Sequence, residues 1–237
     1  MHSRLETEWH GRYERWAENH TADHLVSGWS ERGLSRRLAL VSHCIAEAGV
    51  MPKSPFLDLG AGPGVFTRRL KGFGFSCIGL DYSSKVLAIA KSNDESVPYV
   101  QGEAYHLPFG PSRFMGVLCI GVLPSLERAH LAIEEIRRVI MPKGHLFLDG
   151  LNSLFWLHSL KLRREKLFNT ASRMSYHNPF CVIDELHNVG FGRIKLYWLA
   201  MPQKAQCCAE IPFLAYSSIY SRLFGYAFLI SAQKLAA

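Results

Sequence analysis

The chain has 237 residues, of which 48% are apolar and 20% charged, with a formal net charge of +7. That length suits one α/β domain with additions and is short for two, and the composition is that of a chain with a full core, which excludes a disordered or low-complexity protein. The positive excess is dispersed over short groups, Arg36-Arg37, Arg68-Arg69, Arg137-Arg138 and Lys161 to Lys166, without the long basic arm of a nucleic-acid binder.

The segment from Met1 to His20 is polar and of mixed charge, with no apolar region of signal-peptide type, and no run of eighteen apolar residues follows it. A cytoplasmic chain is expected. The six cysteines, at 44, 77, 119, 181, 207 and 208, form no C-x-x-C pair, which predicts reduced thiols and no structural metal.

Residues 1 to 50 read as a helical segment separate from the sheet. From Glu31 to Ala48 the spacing of Leu34, Leu38, Val41 and Ile45 makes one apolar stripe on a helix. Before it, Trp9, Tyr13 and Trp16 recur at helical spacing, either to seal the fold, the reading favoured for Trp9, or to close as a lid over a ligand.

Phe56-Leu57-Asp58-Leu59-Gly60-Ala61-Gly62-Pro63-Gly64 then runs from a strand into a glycine turn, and Val65 to Leu70 begins a helix. Glycines at 60, 62 and 64 allow positive φ and let a ligand lie against bare backbone. A dinucleotide fingerprint would place a third glycine where Val65 stands, so the loop departs from the pyrophosphate type. A second strand, Phe75 to Leu80, ends at Asp81, where a carboxylate reaches the ribose hydroxyls of a nucleotide lying over the loop. The structural alternative is a helix cap; Ser83 can cap the helix from Ser84 while Asp81 faces the ligand.

A third strand, Val97 to Val100, leads into Gln101-Gly102-Glu103-Ala104-Tyr105-His106-Leu107-Pro108-Phe109. Phe114 to Ile120 is the fourth strand, Glu127 to Ile140 a helix, Met141-Pro142-Lys143-Gly144 its stop, and His145 to Asp149 the fifth strand. This alternation predicts parallel strands joined by crossovers. Leu151 to Leu167 reads as an amphipathic helix that carries Leu154, Phe155, Trp156, Leu157 and Leu160 beside the basic group. Tyr176-His177-Asn178-Pro179-Phe180 precedes a helix to Asn188, Arg193 to Leu199 is a sixth strand, and Phe224 to Gln233 a last one.

These motifs in this order resemble the class I S-adenosylmethionine-dependent methyltransferases, and among them the chain is similar to the small-molecule type found in ubiquinone and menaquinone biosynthesis. Asp58 and the G-x-G-x-G loop match motif I, the Gly102-Glu103-Ala104 segment with Leu107-Pro108-Phe109 matches the family's G-D-A-x-x-L-P-F, and Pro142-Lys143-Gly144 stands for its P-G-G. The resemblance spans about residues 52 to 234, close through Asp149 and looser beyond. It implies an α/β, Rossmann-like, seven-stranded sheet, mostly parallel with an antiparallel last strand, flanked by helices. The expected organisation is an N-terminal helical segment or lid at 1–50 and a methyltransferase domain at 51–237, with cap segments at 151–180 and 201–224.

The resemblance further implies S-adenosyl-L-methionine as cofactor, held by Asp58, Gly60, Ala61, Gly62, Gly64, Asp81, Tyr82, Glu103, Ala104 and Ile120, with Glu103 accepting from the adenine amino group. Family members often carry histidine where Pro124 or Ser125 stands here, so His177 and Tyr176 become the catalytic candidates, against the alternative that His177 is satisfied by its neighbours. The expected partner is a small-molecule acceptor, apolar or aromatic, with no nucleic acid. Lys161 to Lys166 suggests contact with a membrane surface or a lipid-like substrate. RNA methylation, NAD-dependent oxidoreduction and binding without turnover are the competing readings.

Overall fold

The computed structural model describes residues 3–20, 22–168, 174–200 and 225–236. Its centre is a seven-stranded sheet in the order β3-β2-β1-β4-β5-β7-β6, formed by β1 (Pro55–Leu59), β2 (Ser76–Asp81), β3 (Tyr99–Gln101), β4 (Phe114–Cys119), β5 (Ile140–Leu151), β6 (Phe191–Ala200) and β7 (Gly225–Lys234). The pairs from β3 through β5 are parallel, and β7 runs antiparallel to both β5 and β6. This is the sheet expected from the sequence.

The central strands are parallel because each returns through a helix. α4 (Val65–Gly72) joins β1 to β2, α5 (Ser84–Asn93) joins β2 to β3, α6 (Ala129–Val139) joins β4 to β5, and α8 (Pro179–Asn188) precedes β6. With helices on its faces, β1 buries Phe56, Leu57 and Leu59, and β4 buries Val117, Leu118 and Cys119. Such strands read as continuous apolar runs, without the alternation of a half-exposed sheet.

The N-terminal segment is helical as read, with α1 (Arg4–Asn19), α2 (Asp23–Val26) and α3 (Glu31–Ala48). α1 opens with a capping box between Ser3 and Glu6. The buried Glu6 carboxylate also accepts from the Tyr105 hydroxyl and from the Glu127 amide, which fixes the start of α1 over the carboxyl ends of the strands. Tyr82 donates to the carbonyls of Trp9 and His10, and Lys85 pairs with Glu14 and Glu18. No described helix is long and apolar enough to cross a membrane.

Three local expectations are corrected. β5 starts at Ile140 because the Met141-to-Gly144 stretch, with Lys143 at φ 63°, is a bulge inside one strand: Phe114 pairs with Ile140 and Gly116 already with His145. At its other end β5 continues through Leu151, paired with Ala227, so the expected helix from Leu151 begins only at Trp156 as α7 (Trp156–Leu167), after a turn closed by the Asn152 side chain. α7 also buries no side chain and is not amphipathic toward the body of the protein: Trp156, Leu157, Leu160 and Leu167 are exposed, with Arg163 and Arg164 among them. The cap segment 201–224 lies outside the described residues.

α3 is seated by a buried ion pair. Arg37 Nε lies 3.1 Å from Asp149 Oδ2, the other carboxylate oxygen accepts from Gly121 N at 2.6 Å, and Arg37 also donates to the Tyr226 hydroxyl at 3.3 Å. Removing one member of such a pair strands its partner in a medium that solvates it poorly. Asp149→Ala is therefore expected to cost about 3–5 kcal/mol, and Arg37→Met combined with Asp149→Leu distinctly less, as read by urea denaturation of the three proteins.

Candidate active site

Two adjoining cavities open at the carboxyl ends of the parallel strands, where open α/β sheets bind their ligands. The first lies against the glycine loop. It is lined by Leu59, Gly60, Ala61 and Gly62 from that loop, Asp81 and Tyr82 from the end of β2, Glu103 and Ala104, and Ile120 to Val122 after β4. Trp9, His10 and Tyr13 of α1 roof it. The second, about 500 Å³, lies between α1, the first turns of α3 and the end of β5. Trp9, Tyr13, Ser27, Trp29 and Gly121 line both.

The loop folds as a closed hydrogen-bonded unit. Gly60 N and Ala61 N both donate to Leu80 O, Gly62 N to Asp81 Oδ2 at 3.0 Å, and Gly64 N to Ala61 O. Gly60 has φ 75°, and a Cβ there would overlap Val122, so no other residue fits. Because the four amides are spent internally, the loop offers no nest of N–H groups to a pyrophosphate. It presents bare backbone instead.

Asp81 is buried, and each of its oxygens accepts one backbone N–H, Gly62 N on Oδ2 and Ser83 N on Oδ1, both at 3.0 Å. Burial pushes its carboxyl up, and these amides oppose the shift. The Tyr82 amide also contributes, and a carboxylate offers about four acceptor positions, so the amides do not exhaust it. Ser83 caps α5 through Val86 N, so cap and cavity carboxylate are neighbouring residues, and Asp81 ties the loop to the cap.

Eight of the ten residues expected around the cofactor line the first cavity: Gly60, Ala61, Gly62, Asp81, Tyr82, Glu103, Ala104 and Ile120. Glu103 is exposed at its rim, and Tyr82 is covered by the His10 ring stacked 3.8 Å away. Asp58 and Gly64 do not line it. Asp58 is buried inside β1 and binds Thr67 Oγ1 at 2.6 Å, joining β1 to α4, while Gly64 takes φ 84° at the start of α4, packed against Tyr99.

His177 and Tyr176 line neither cavity. The backbone of His177 bridges Asn152, its amide donates to Leu151 O, and its ring meets Leu123 O at 3.3 Å. Tyr176 packs on His158 and bonds Lys161 Nζ at 2.9 Å. Both bond to the turn after β5 and to α7, apart from the two cavities. Sequence reasoning passed over Ser27, Gly121, Arg37 and Asp149; only the aromatic spacing of α1 had signalled Trp9 and Tyr13. Burial, with the charges of Asp81 and Asp149, holds the Tyr13 phenol well above its ordinary range, so it stays protonated.

Asp58 gives a pH test. Burial raises its carboxyl to about 7, with the nearby Asp81 charge adding to the rise and the Thr67 hydrogen bonds opposing it. The folded state thus holds this proton more tightly than the unfolded chain, and wild-type stability falls as pH rises from about 4 to 7 through this group. Asp58→Asn removes that slope: its stability relative to wild type should rise by about 2–4 kcal/mol between pH 4 and 8, measured by denaturant melts.

Residues 57–148 match the family model of the methyltransferase domain. The chain is 38% identical over 113 residues to a methyltransferase of Synechocystis, spanning 45% of this chain and 53% of that protein. It is 35% identical over 130 residues to a demethylmenaquinone methyltransferase of a Mycobacterium strain, spanning 55% of this chain and 56% of that one. The chain thus spans about half the length of the curated relatives it matches. The solved S-adenosylmethionine-dependent methyltransferase of Archaeoglobus fulgidus superposes with a TM-score of 0.61 at 16% identity, over 84% of this chain and 94% of that one, a likeness of fold. Residues 57–148 thus match a methyltransferase domain in sequence, and the sheet that they build is shared in fold with the solved methyltransferase.

Proposed function

We propose that the chain transfers a methyl group from S-adenosylmethionine to a small, apolar or aromatic acceptor, with the cofactor in the first cavity and the acceptor in the second. The observation that carries this is the common wall of Trp9, Tyr13, Ser27, Trp29 and Gly121 between the two cavities. A donor on one side and an acceptor on the other then meet along it. The cofactor, when bound, supplies a methyl carbon already activated by its sulfonium.

The first cavity fits that group on its own chemistry. Asp81 lines it with a carboxylate that can accept from ribose hydroxyls, the glycine loop offers backbone without outward amides, and Glu103 stands at the rim, where it can accept from an adenine amino group. The spent loop amides speak against a dinucleotide. The Trp9 indole N–H is buried without a hydrogen-bond partner and belongs to the same wall. The cavity, about 100 Å³, is small for a nucleoside-sized ligand. Entry therefore displaces α1, which acts as a lid hinged beyond the Glu6 anchor.

The residues do their work by orientation. Among the described residues no imidazole belongs to the common wall; His10 lines only the first cavity. The protonated Tyr13 positions the acceptor, the aromatic walls exclude water, and the rate depends on the acidity of the acceptor itself. Aromatic walls from Trp9, Trp16, Trp29 and Tyr226 suit an aromatic acceptor, in keeping with the demethylmenaquinone methyltransferases among the relatives.

Calorimetric titration should show saturable binding of S-adenosylhomocysteine and none of NAD; the reverse result refutes the reading. Asp81→Asn should weaken S-adenosylhomocysteine by about 1–3 kcal/mol, the cost of losing a charged hydrogen-bond partner. Ser83→Ala serves as control: it removes the α5 cap, lowers the melting temperature and leaves affinity near wild type.

A further inference from the structure

We infer that α7 docks the protein on the surface of an anionic lipid bilayer, with its aromatic and leucine side chains in the headgroup layer and its cations on the lipid phosphates. This goes beyond the methyl-transfer reading and stands without it.

Eight large apolar side chains are exposed among the described residues, and five of them, Trp156, Leu157, Leu160, Leu167 and Phe168, belong to α7 and the residue that closes it. Leu160 is 59% exposed, Leu167 78% and Phe168 64%, so they lie clear of the fold. Apolar residues scattered singly over a surface need no explanation; a set gathered on one helix marks a surface that meets something.

The helix has two sides. His158, Leu162 and Glu165, at steps of four and three, are partly buried toward the body of the protein, where the His158 ring meets the Asn152 carbonyl at 2.8 Å and packs on Tyr176. Trp156, Leu160, Arg163 and Leu167, at steps of four, three and four, share the outward side with Leu157, Arg164 and Phe168.

The charges select the occupant. Lys161 is engaged by the Tyr176 hydroxyl and by Glu165, the one acid of the helix. Arg163, Arg164 and Lys166 are exposed and have no carboxylate partner among the described residues; Arg164 lies 6.0 Å from the Phe168 ring centre. Two copies of this face would set cations against cations, and a nucleic acid would take up the cations while Trp156, Leu160 and Leu167 stayed in water. A bilayer interface takes both kinds of group. Guanidinium and ammonium ends reach lipid phosphates while their stems lie beside the leucines, and the apolar side chains enter the acyl boundary. Leu151 and Met174, on either side of α7 in the chain, both line the second cavity, so the docking helix and the cavity assigned to the acceptor belong to one stretch of chain.

The test is flotation of the full chain with vesicles of phosphatidylcholine alone and of phosphatidylcholine mixed with phosphatidylglycerol, at low and at raised salt. Binding is expected to the mixed vesicles, weaker at raised salt, and far less to the neutral ones. Each of Arg163→Gln and Lys166→Gln should weaken it by about fivefold, the scale of one cation at such a surface. Leu160→Ser and Leu167→Ser should each weaken it at least as much, and Lys91→Gln, an exposed cation of α5, should leave it unchanged. The melting temperature and the affinity for S-adenosylhomocysteine without lipid should hold in every variant, since these side chains lie outside the fold. Equal binding to both vesicle types, binding to neither, binding that survives the α7 substitutions, or a loss in Lys91→Gln equal to that in Arg163→Gln overturns the inference. Retention of RNA that the same α7 substitutions abolish, with no vesicle bound, also overturns it and makes nucleic acid the occupant. Titration of S-adenosylhomocysteine without lipid judges methyl transfer alone, so either reading can fail while the other stands.

Discussion

A buried charge needs a partner that cannot move away, and in this protein that requirement joins three parts of the fold at Arg37 and Asp149. The carboxylate comes from β5, the guanidinium from α3, and the amide of Gly121 from the turn after β4. Burial pushes the Asp149 carboxyl up, and the Arg37 guanidinium and Gly121 amide hold it down. Pairs of this kind contribute little net stability compared with apolar packing, yet they fix geometry because every displaced arrangement leaves a charge unpaired. Here the geometry fixed is the wall between the two cavities: Trp29 lies against Arg37, and Gly121 belongs to both linings.

Three buried aspartates, on β1, β2 and β5, show how one side-chain type takes different duties from its surroundings. Asp58 sits within β1 and faces α4, where Thr67 uses it as a helix anchor. Asp81 ends β2, two positions farther toward the carboxyl edge of the sheet, and its two oxygens hold the glycine loop and the Ser83 turn while it lines the cavity. Asp149 in β5 meets a cation. Chemistry at the cavity is thus possible for Asp81 because its partners are backbone amides that leave acceptor positions open, whereas Asp149 is consumed by Arg37.

The N-terminal helices complete a site that the sheet alone leaves open. α1 is held at its start by the buried Glu6 carboxylate and along its length by Tyr82 and the exposed Lys85 pairs. α3 is held by a buried ion pair. α1 roofs the first cavity, and the first turns of α3 wall the second.

The sequence by itself determined the sheet, its order of strands and helices along the chain, and the loop at its switch point, because apolar runs and glycines at 60, 62 and 64 act locally through backbone preference and burial. It also placed the cap at Ser83 and a carboxylate at Asp81, since both belong to one short turn. Only the tertiary structure decided which acids reach the cavity, that His177 and Tyr176 bond to the turn at Leu123 and to α7 and line neither cavity, and that α7 keeps its large apolar side chains outside. Arg37 and Asp149 are 112 residues apart, and no periodicity or spacing records a contact of that range. Local order is written in neighbouring residues; the identity of a site depends on which distant side chains are brought within a few ångströms, and that is a property of the packed chain.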